Sequence, residues 1–346
     1  MAHETCPPSL DLEMETRLHQ LVTGYRASQV VSTVARFRIA DRLASGPVIL
    51  DHLAVSLDIA HDHLYRLLQA AVTIGLVQEV APRTFALAAL GEPLRSDVAG
   101  SLRSYAMALT APGHWLPWAR LPHAVVSRQS QTTPTLGSDI GEYLRQHPDE
   151  GRLLVEAMSE FNQLLSLDIV RLYDLSPFRR VIDMGRWQAA LLAAVLDANG
   201  VARGLVVDGP ELGEEARNRL ESRGLSDRAD RIAVASSEAL PPEGDLYLLE
   251  QLLHDRPDEE VSRVLGRCRE AMGGDGRIVA VEMALFPNNE PARSQLSDLN
   301  SLVITGGRQR STHAYRALFA SAGLELEHVI RLRLEPDFAL LVGVPV

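Results

Sequence analysis

Two acidic residues at the ends of apolar runs give the first sign of chemistry. Arg180-Val181-Ile182 leads into Asp183-Met184-Gly185, and Gly204-Leu205-Val206-Val207 ends in Asp208, 25 residues after Asp183. A strand, a tight turn and an acid about 20 positions on is the geometry of a nucleoside-cofactor site, where the acid takes ribose hydroxyls. The turn departs from that pattern, because it reads Gly185-Arg186-Trp187-Gln188-Ala189 and holds one glycine. Glycine lets backbone approach a ligand, so Arg186 and Trp187 are expected to fill the space where a cofactor would lie. Buried there, Arg186 needs a carboxylate, for which Asp183, Asp208 and Glu250 are the candidates. Upstream, Trp115, Trp118, Met158 and Phe161 read singly as core residues. Together with Asn162 they make a candidate roof over a pocket for a flat apolar ligand.

Other chemistry is excluded or weaker. All 34 basic residues are arginine, which removes Schiff-base lysines and the phosphate lysine of nucleotide-binding loops. His61-Asp62-His63 places two imidazoles at i,i+2, on different faces of a helix, so surface histidines are expected and no metal site. Gly273-Gly274-Asp275-Gly276 lies between a helix and a strand and reads as a turn. No G-x-S-x-G nucleophile elbow occurs. Cys6 and Cys268 cannot build a disulfide framework or a four-cysteine zinc site, and a cytoplasmic protein is expected. The net charge of −11 disfavours nucleic acid and anionic membrane as partners. No apolar run is long enough to span a bilayer.

Four segments position these residues. Residues 1–11 are expected to form a disordered tail. Residues 12–100 read as helices followed by a β-ribbon, the order of a winged helix; with five arginines against five acids between residues 31 and 90, a protein–protein module is favoured over a DNA reader. Residues 101–165 form a helical linker and pocket roof, with a polar loop at Ser127–Pro134. Residues 166–346 alternate strands and helices. The strands fall at Arg180–Met184, Gly204–Asp208, Ile232–Val234, Asp245–Leu249 and Arg277–Glu282, and Leu324–Leu334 with Phe338–Val342 close the order as an antiparallel hairpin. The fold class is therefore α/β, a doubly wound Rossmann-like sheet behind a helical N-terminal unit.

Several motifs resemble the small-molecule O-methyltransferases that use S-adenosylmethionine, of the plant and bacterial natural-product kind. They are Leu252-Leu253-His254-Asp255-Arg256-Pro257-Asp258-Glu259-Glu260, Arg277–Glu282, and Asp298-Leu299-Asn300-Ser301-Leu302 with Thr305-Gly306-Gly307-Arg308. Leu64–Leu68 and Leu94-Arg95-Ser96 resemble the family's dimerisation domain. The resemblance implies a homodimer, His254 as the general base beside Asp255, and Glu282 as the carboxylate that orients it. It places Asn300 and Gln309 on the substrate side, with Gln309 where the family has a second carboxylate. It puts Gly185 and Asp208 at the cofactor. There the departures gather: Arg186 and Trp187 in the turn, Ser237 for an acid that contacts adenine, and Glu250 for a base before the His-Asp pair.

Those departures lead to an expectation about function. The chain is expected to be a methyltransferase-fold enzyme acting on a polycyclic or polyketide-like intermediate without a cofactor. His254 would drive a cyclisation, rearrangement or elimination, with Arg186 supplying a fixed positive charge. The alternatives are a true S-adenosylmethionine-dependent O-methyltransferase and a non-catalytic binding partner.

Overall fold

The computed structural model describes residues 12–98, 100–184, 189–208, 213–233, 240–242, 244–286 and 293–346. It divides into two units, residues 1–111 and residues 112–346.

In the first unit, helical spacing of apolar residues decides which surface is covered. The long helix α1 (Leu12–Arg36) is followed by α2 (Ile39–Leu43). The two are separated at Arg38, whose backbone is left-handed with φ 53°. Then come β1 (Val48–Ile49), α3 (Leu50–Leu57), α4 (His61–Thr73), β2 (Val77–Ala81), β3 (Thr84–Leu87) and α5 (Arg103–Ala108). The strands pair in the order β1-β3-β2. On α4, Leu64, Leu68 and Ala71 face inward, four and three residues apart as one helix face requires. His61, Asp62 and His63 are exposed. By contrast Leu18, Leu21, Val22 and Tyr25 of α1 are all more than half exposed.

The second unit opens with α6 (Pro112–Trp118), α7 (Leu121–Ser127), α8 (Thr132–Leu136), α9 (Ile140–Gln146) and the long α10 (Pro148–Leu172). The polar loop expected to Pro134 thus ends earlier, at the start of α8. The α/β part follows: β4 (Arg180–Asp183), α11 (Ala190–Ala198), β5 (Arg203–Asp208), α12 (Gly213–Ser222), β6 (Ala229–Ala233), β7 (Gly244–Glu250), α13 (Asp258–Ala271) and β8 (Met272–Leu285). It closes with α14 (Arg293–Ile304), β9 (Arg310–Ser311), α15 (Thr312–Ser321), β10 (Leu324–Arg331) and β11 (Phe338–Pro345).

The sheet order is β10-β11-β8-β7-β4-β5-β6, with β9 beside the end of β8. Pairing is parallel except for β11 against β8 and β10 against β11. Alternate residues supply two cores. Val181, Leu248, Val279 and Val281 face one side with Leu165 and Leu192. Ile182, Leu249, Ile278 and Ala280 face the other with Val264 and Phe319. This period of two, apolar on both faces, is what a covered parallel sheet demands. A β-carbon at Gly204 would lie 2.7 Å from a Leu192 methyl, so glycine there lets α11 pack directly on β5.

Two expectations are corrected. Gly273–Gly276 is not a turn: β8 already begins at Met272, whose partner is Gly244, and the register shifts between Gly244 and Leu246. The extra glycines are absorbed as an irregularity within the ladder. Strand β6 starts at Ala229 rather than Ile232, because Ala229, Asp230 and Arg231 pair with Gly204, Leu205 and Val206 through the backbone whatever their side chains.

Candidate active site

The site is built where β7 and β8 end side by side. Glu250 pairs with Val281, and the Gln251 N–H still donates to the Val281 carbonyl at 2.8 Å. Gln251 then takes a left-handed φ of 49°, which turns the chain out of the sheet. Its side-chain amide donates to Asn162 Oδ1 on α10. Leu252 and Leu253 are buried and anchor the turn that carries His254.

Glu282 lies one residue beyond the Glu250–Val281 pair, with a fully buried side chain. Its Oε1 accepts the Leu253 N–H at 2.6 Å, and its Oε2 lies 3.0 Å from His254 Nδ1. A carboxylate only accepts, so this contact assigns the ring proton to Nδ1 and makes Nε2 the basic nitrogen. Nε2 is 3.4 Å from Asp255 Oδ1, and the imidazole keeps 17% of its surface exposed. Asp255 Oδ1 in turn accepts from Thr305 Oγ1 at 2.8 Å. One imidazole is thus oriented by a buried carboxylate at Nδ1 and stays partly exposed, with Nε2 beside Asp255, an arrangement that suits a general base.

The loop joining α14 to β9 closes over this turn. A β-carbon at Gly307 would meet the His254 carbonyl at 2.8 Å and Asp255 Cα at 3.0 Å. Gln309 is buried; its Nε2 donates to Ser301 Oγ at 3.0 Å and its backbone N–H to Asp298 Oδ1 at 2.6 Å. Its Oε1 has no hydrogen-bond partner. Asn300 Oδ1 accepts from Trp118 Nε1 at 3.0 Å. Trp118, rather than Trp115, is therefore the tryptophan tied to Asn300. Trp115 and Met158 are half-buried on α6 and α10. Phe161 packs on Phe338, with ring centroids 5.5 Å apart, and against the sheet core.

A second group of polar side chains gathers at the ends of β4 and β7. Asp183 and Glu250 are each 1% exposed. Burial pushes the Glu250 carboxyl well above the usual carboxylate range; Asp183 and Glu282 add to the shift and Arg219 of α12 opposes it. Arg219 donates to Ser159 on α10, and burial lowers its own affinity for the proton. Glu250 Oε1 and Asn162 Nδ2 have no hydrogen-bond partner. A buried polar atom left unmade costs about 1–3 kcal/mol, so an acceptor and a donor left open at this sheet edge fit a ligand that carries both. Asp208 ends β5, paired with Ala233, at the carboxyl edge. Gly185, Arg186, Trp187 and Ser237 lie outside the described residues. Among the described residues no group of three or more His, Cys, Asp or Glu could hold a metal, and no helix is long and apolar enough to cross a membrane.

Sequence reasoning brought His254, Asp255 and Glu282 together and assigned Asn162, Asn300 and Gln309 to the neighbourhood. It missed Gln251, Arg219 and Arg310. Each acts through a partner distant in sequence, and no local pattern marks it.

Comparison with known proteins adds the chemical context. The family described as O-methyltransferase domain matches residues 118–325, and the O-methyltransferase dimerisation domain matches residues 19–96. The phenazine O-methyltransferase of Lysobacter antibioticus is 32% identical over 313 residues, covering 90% of this chain and 92% of that protein. The solved structure of the mitomycin 7-O-methyltransferase matches with a TM-score of 0.88 at 28% identity, covering 96% and 98% of the two chains. An O-methyltransferase from neocarzinostatin biosynthesis, solved with S-adenosylmethionine and 2-hydroxy-5-methyl naphthoic acid, matches with a TM-score of 0.77 at 26% identity, covering 92% and 96%.

These likenesses overturn the expectation of a cofactor-free cyclisation, rearrangement or elimination driven by His254 and Arg186. The relatives are methyltransferases, and one was solved with the methyl donor bound. The error has a physical source. The demand for several glycines comes from sites where backbone must approach a pyrophosphate. A sulfonium nucleoside has no phosphate, so a turn with one glycine does not exclude it.

Proposed function

The chain belongs to the O-methyltransferase family, and we propose that it is an S-adenosylmethionine-dependent methyltransferase acting on an aromatic hydroxyl of a natural-product intermediate. The observation that carries this reading is the His254–Glu282 pair at the carboxyl ends of β7 and β8. His254 Nε2 accepts the hydroxyl proton. Glu282 holds the imidazole through Nδ1–H and stabilises the positive charge that develops on it. Trp118 fixes Asn300, and Asn300 with Gln309 orients the acceptor. Asn162 Nδ2, Glu250 and Asp208 would hold the donor, Asp208 at the ribose hydroxyls. S-adenosylmethionine supplies an electrophilic methyl group on a positively charged sulfur.

We infer a homodimer through the first unit, supported by the dimerisation-domain match and by the apolar residues left exposed on α1. The test is calorimetry with S-adenosylmethionine, followed by transfer of its labelled methyl group to a hydroxyphenazine. Micromolar binding and a methyl ether product are expected. Absence of binding at millimolar donor would refute the reading.

A further inference from the structure

Arg310 on β9 is 3% exposed and its guanidinium grips the turn that carries His254. Nη1 donates to the Leu253 carbonyl at 2.8 Å and Nη2 to the Arg256 carbonyl at 2.5 Å. Nε and Nη2 both reach Asp258 Oδ1, at 2.9 and 2.8 Å. The neighbouring Arg308 N–H takes the His254 carbonyl itself, at 3.0 Å. Carbonyls on both sides of His254, and its own, are therefore caught by one short segment. The Leu253 peptide is held at both ends, because Glu282 accepts its N–H while Arg310 donates to its carbonyl. Asp258 completes the frame: hydrogen bonds from Arg308 and Arg310 hold its carboxyl below the usual range against the opposing effect of burial.

Such a grip is costly to build. A buried guanidinium gives up hydration, and it persists where several acceptors meet its fixed fork of donors. Here those acceptors are the backbone of the turn itself. None of the four contacts touches a reacting atom, so their effect reaches chemistry only through the orientation of His254. We propose that Arg310 is the positioning residue that keeps the His254 imidazole against Glu282 with its proton on Nδ1. The inference rests on the reading of His254 as the base.

The tautomer of His254 is the readout, because a residue that served only folding would leave it unchanged. The full chain is labelled with 15N-histidine, and long-range proton–nitrogen spectra are recorded for wild type and Arg310→Lys. The His254 signals are assigned by their loss in His254→Ala. Lysine keeps the charge but lacks the fork. We expect a single Nδ1–H tautomer in wild type and its loss to a mixture with Nε2–H in Arg310→Lys, in a protein that still melts cooperatively. Methyl transfer to a hydroxyphenazine should fall by up to ~10²-fold in kcat, as for an ångström-scale misplacement, with KM little changed. An unchanged tautomer in Arg310→Lys overturns the proposal. A wild-type His254 protonated on Nε2 overturns the base reading first, and the proposal with it. If Arg310→Lys does not fold, Asp258→Asn carries the test. The Asp258 side chain is 44% exposed, and its loss loosens the Arg310 grip. A smaller shift in the same direction supports the proposal, and no shift overturns it.

Discussion

Replacing Glu282 by glutamine tests the proposed base without changing its shape. In the native site one carboxylate oxygen accepts the Leu253 N–H at 2.6 Å and the other faces His254 Nδ1 at 3.0 Å. A glutamine has one acceptor oxygen. If that oxygen serves Leu253, the amide NH2 faces Nδ1 and the ring proton must move to Nε2, where it blocks proton uptake from the substrate. If the amide flips, the buried Leu253 N–H meets a donor. Restoring the productive tautomer therefore costs the desolvation of one buried group, about 1–3 kcal/mol. Loss of the charged partner of the developing imidazolium costs about 1.5–3 kcal/mol more. The sum, about 2.5–6 kcal/mol at 1.4 kcal/mol per tenfold, gives a kcat lower by about 10²–10⁴-fold, which is also the usual size of general-base catalysis. The assay is steady-state methyl transfer to a hydroxyphenazine, repeated with a nitrophenol acceptor that is already ionised. The ionised acceptor needs no base, so the defect should largely disappear for it. A kcat within about threefold of wild type on the neutral acceptor, or an equal loss on both acceptors, would refute the reasoning.

Other perturbations follow from the same geometry. Gly307→Ala puts a β-carbon 2.8 Å from the His254 carbonyl; we expect kcat to fall at least tenfold, the cost of moving a catalytic group by a fraction of an ångström, while donor affinity measured by calorimetry stays near wild type. Glu250 is protonated more readily in the folded state than at its ordinary value of 4.5. The stability this contributes is therefore fully present below that value and is lost as pH rises towards the raised one. Glu250→Gln should remove this loss, so thermal midpoints recorded from pH 5 to pH 8 should fall less steeply than in wild type; parallel profiles would contradict the burial argument. Leu18→Glu with Leu21→Glu places charges on a face where both residues are more than 60% exposed. Sedimentation should show a monomer where wild type is a dimer, and an unchanged dimer would move the interface elsewhere.

Much of the α/β unit is legible in sequence because its signals are local. Arg180–Asp183 and Arg203–Asp208 are short apolar runs ending in acids, and such continuous runs mark strands covered on both faces. The helix α14 is harder. Its polar stretch around Ser297–Ser301 resembles a motif rather than an amphipathic helix, and among its described residues Ser294, Ser301, Val303 and Ile304 are buried. The cofactor turn was the weakest point. Side-chain bulk in four residues of a turn does not decide function, and the whole chain resembles known methyltransferases.

By itself, then, the sequence determined the order of strands and helices, the acids at strand ends, the absence of lysine chemistry and the presence of His254 and Glu282. These depend on residue type and on spacing within one turn or one strand. Tertiary structure decided the rest, because the decisive contacts join positions far apart in the chain. The Glu250–Val281 register brings Glu282 to the His254 turn across 28 residues. Trp118 meets Asn300 across 182, and Arg310 reaches the Leu253 carbonyl across 57. No periodicity encodes such pairings. They exist only once the sheet has set its order and the loops have closed over its edge.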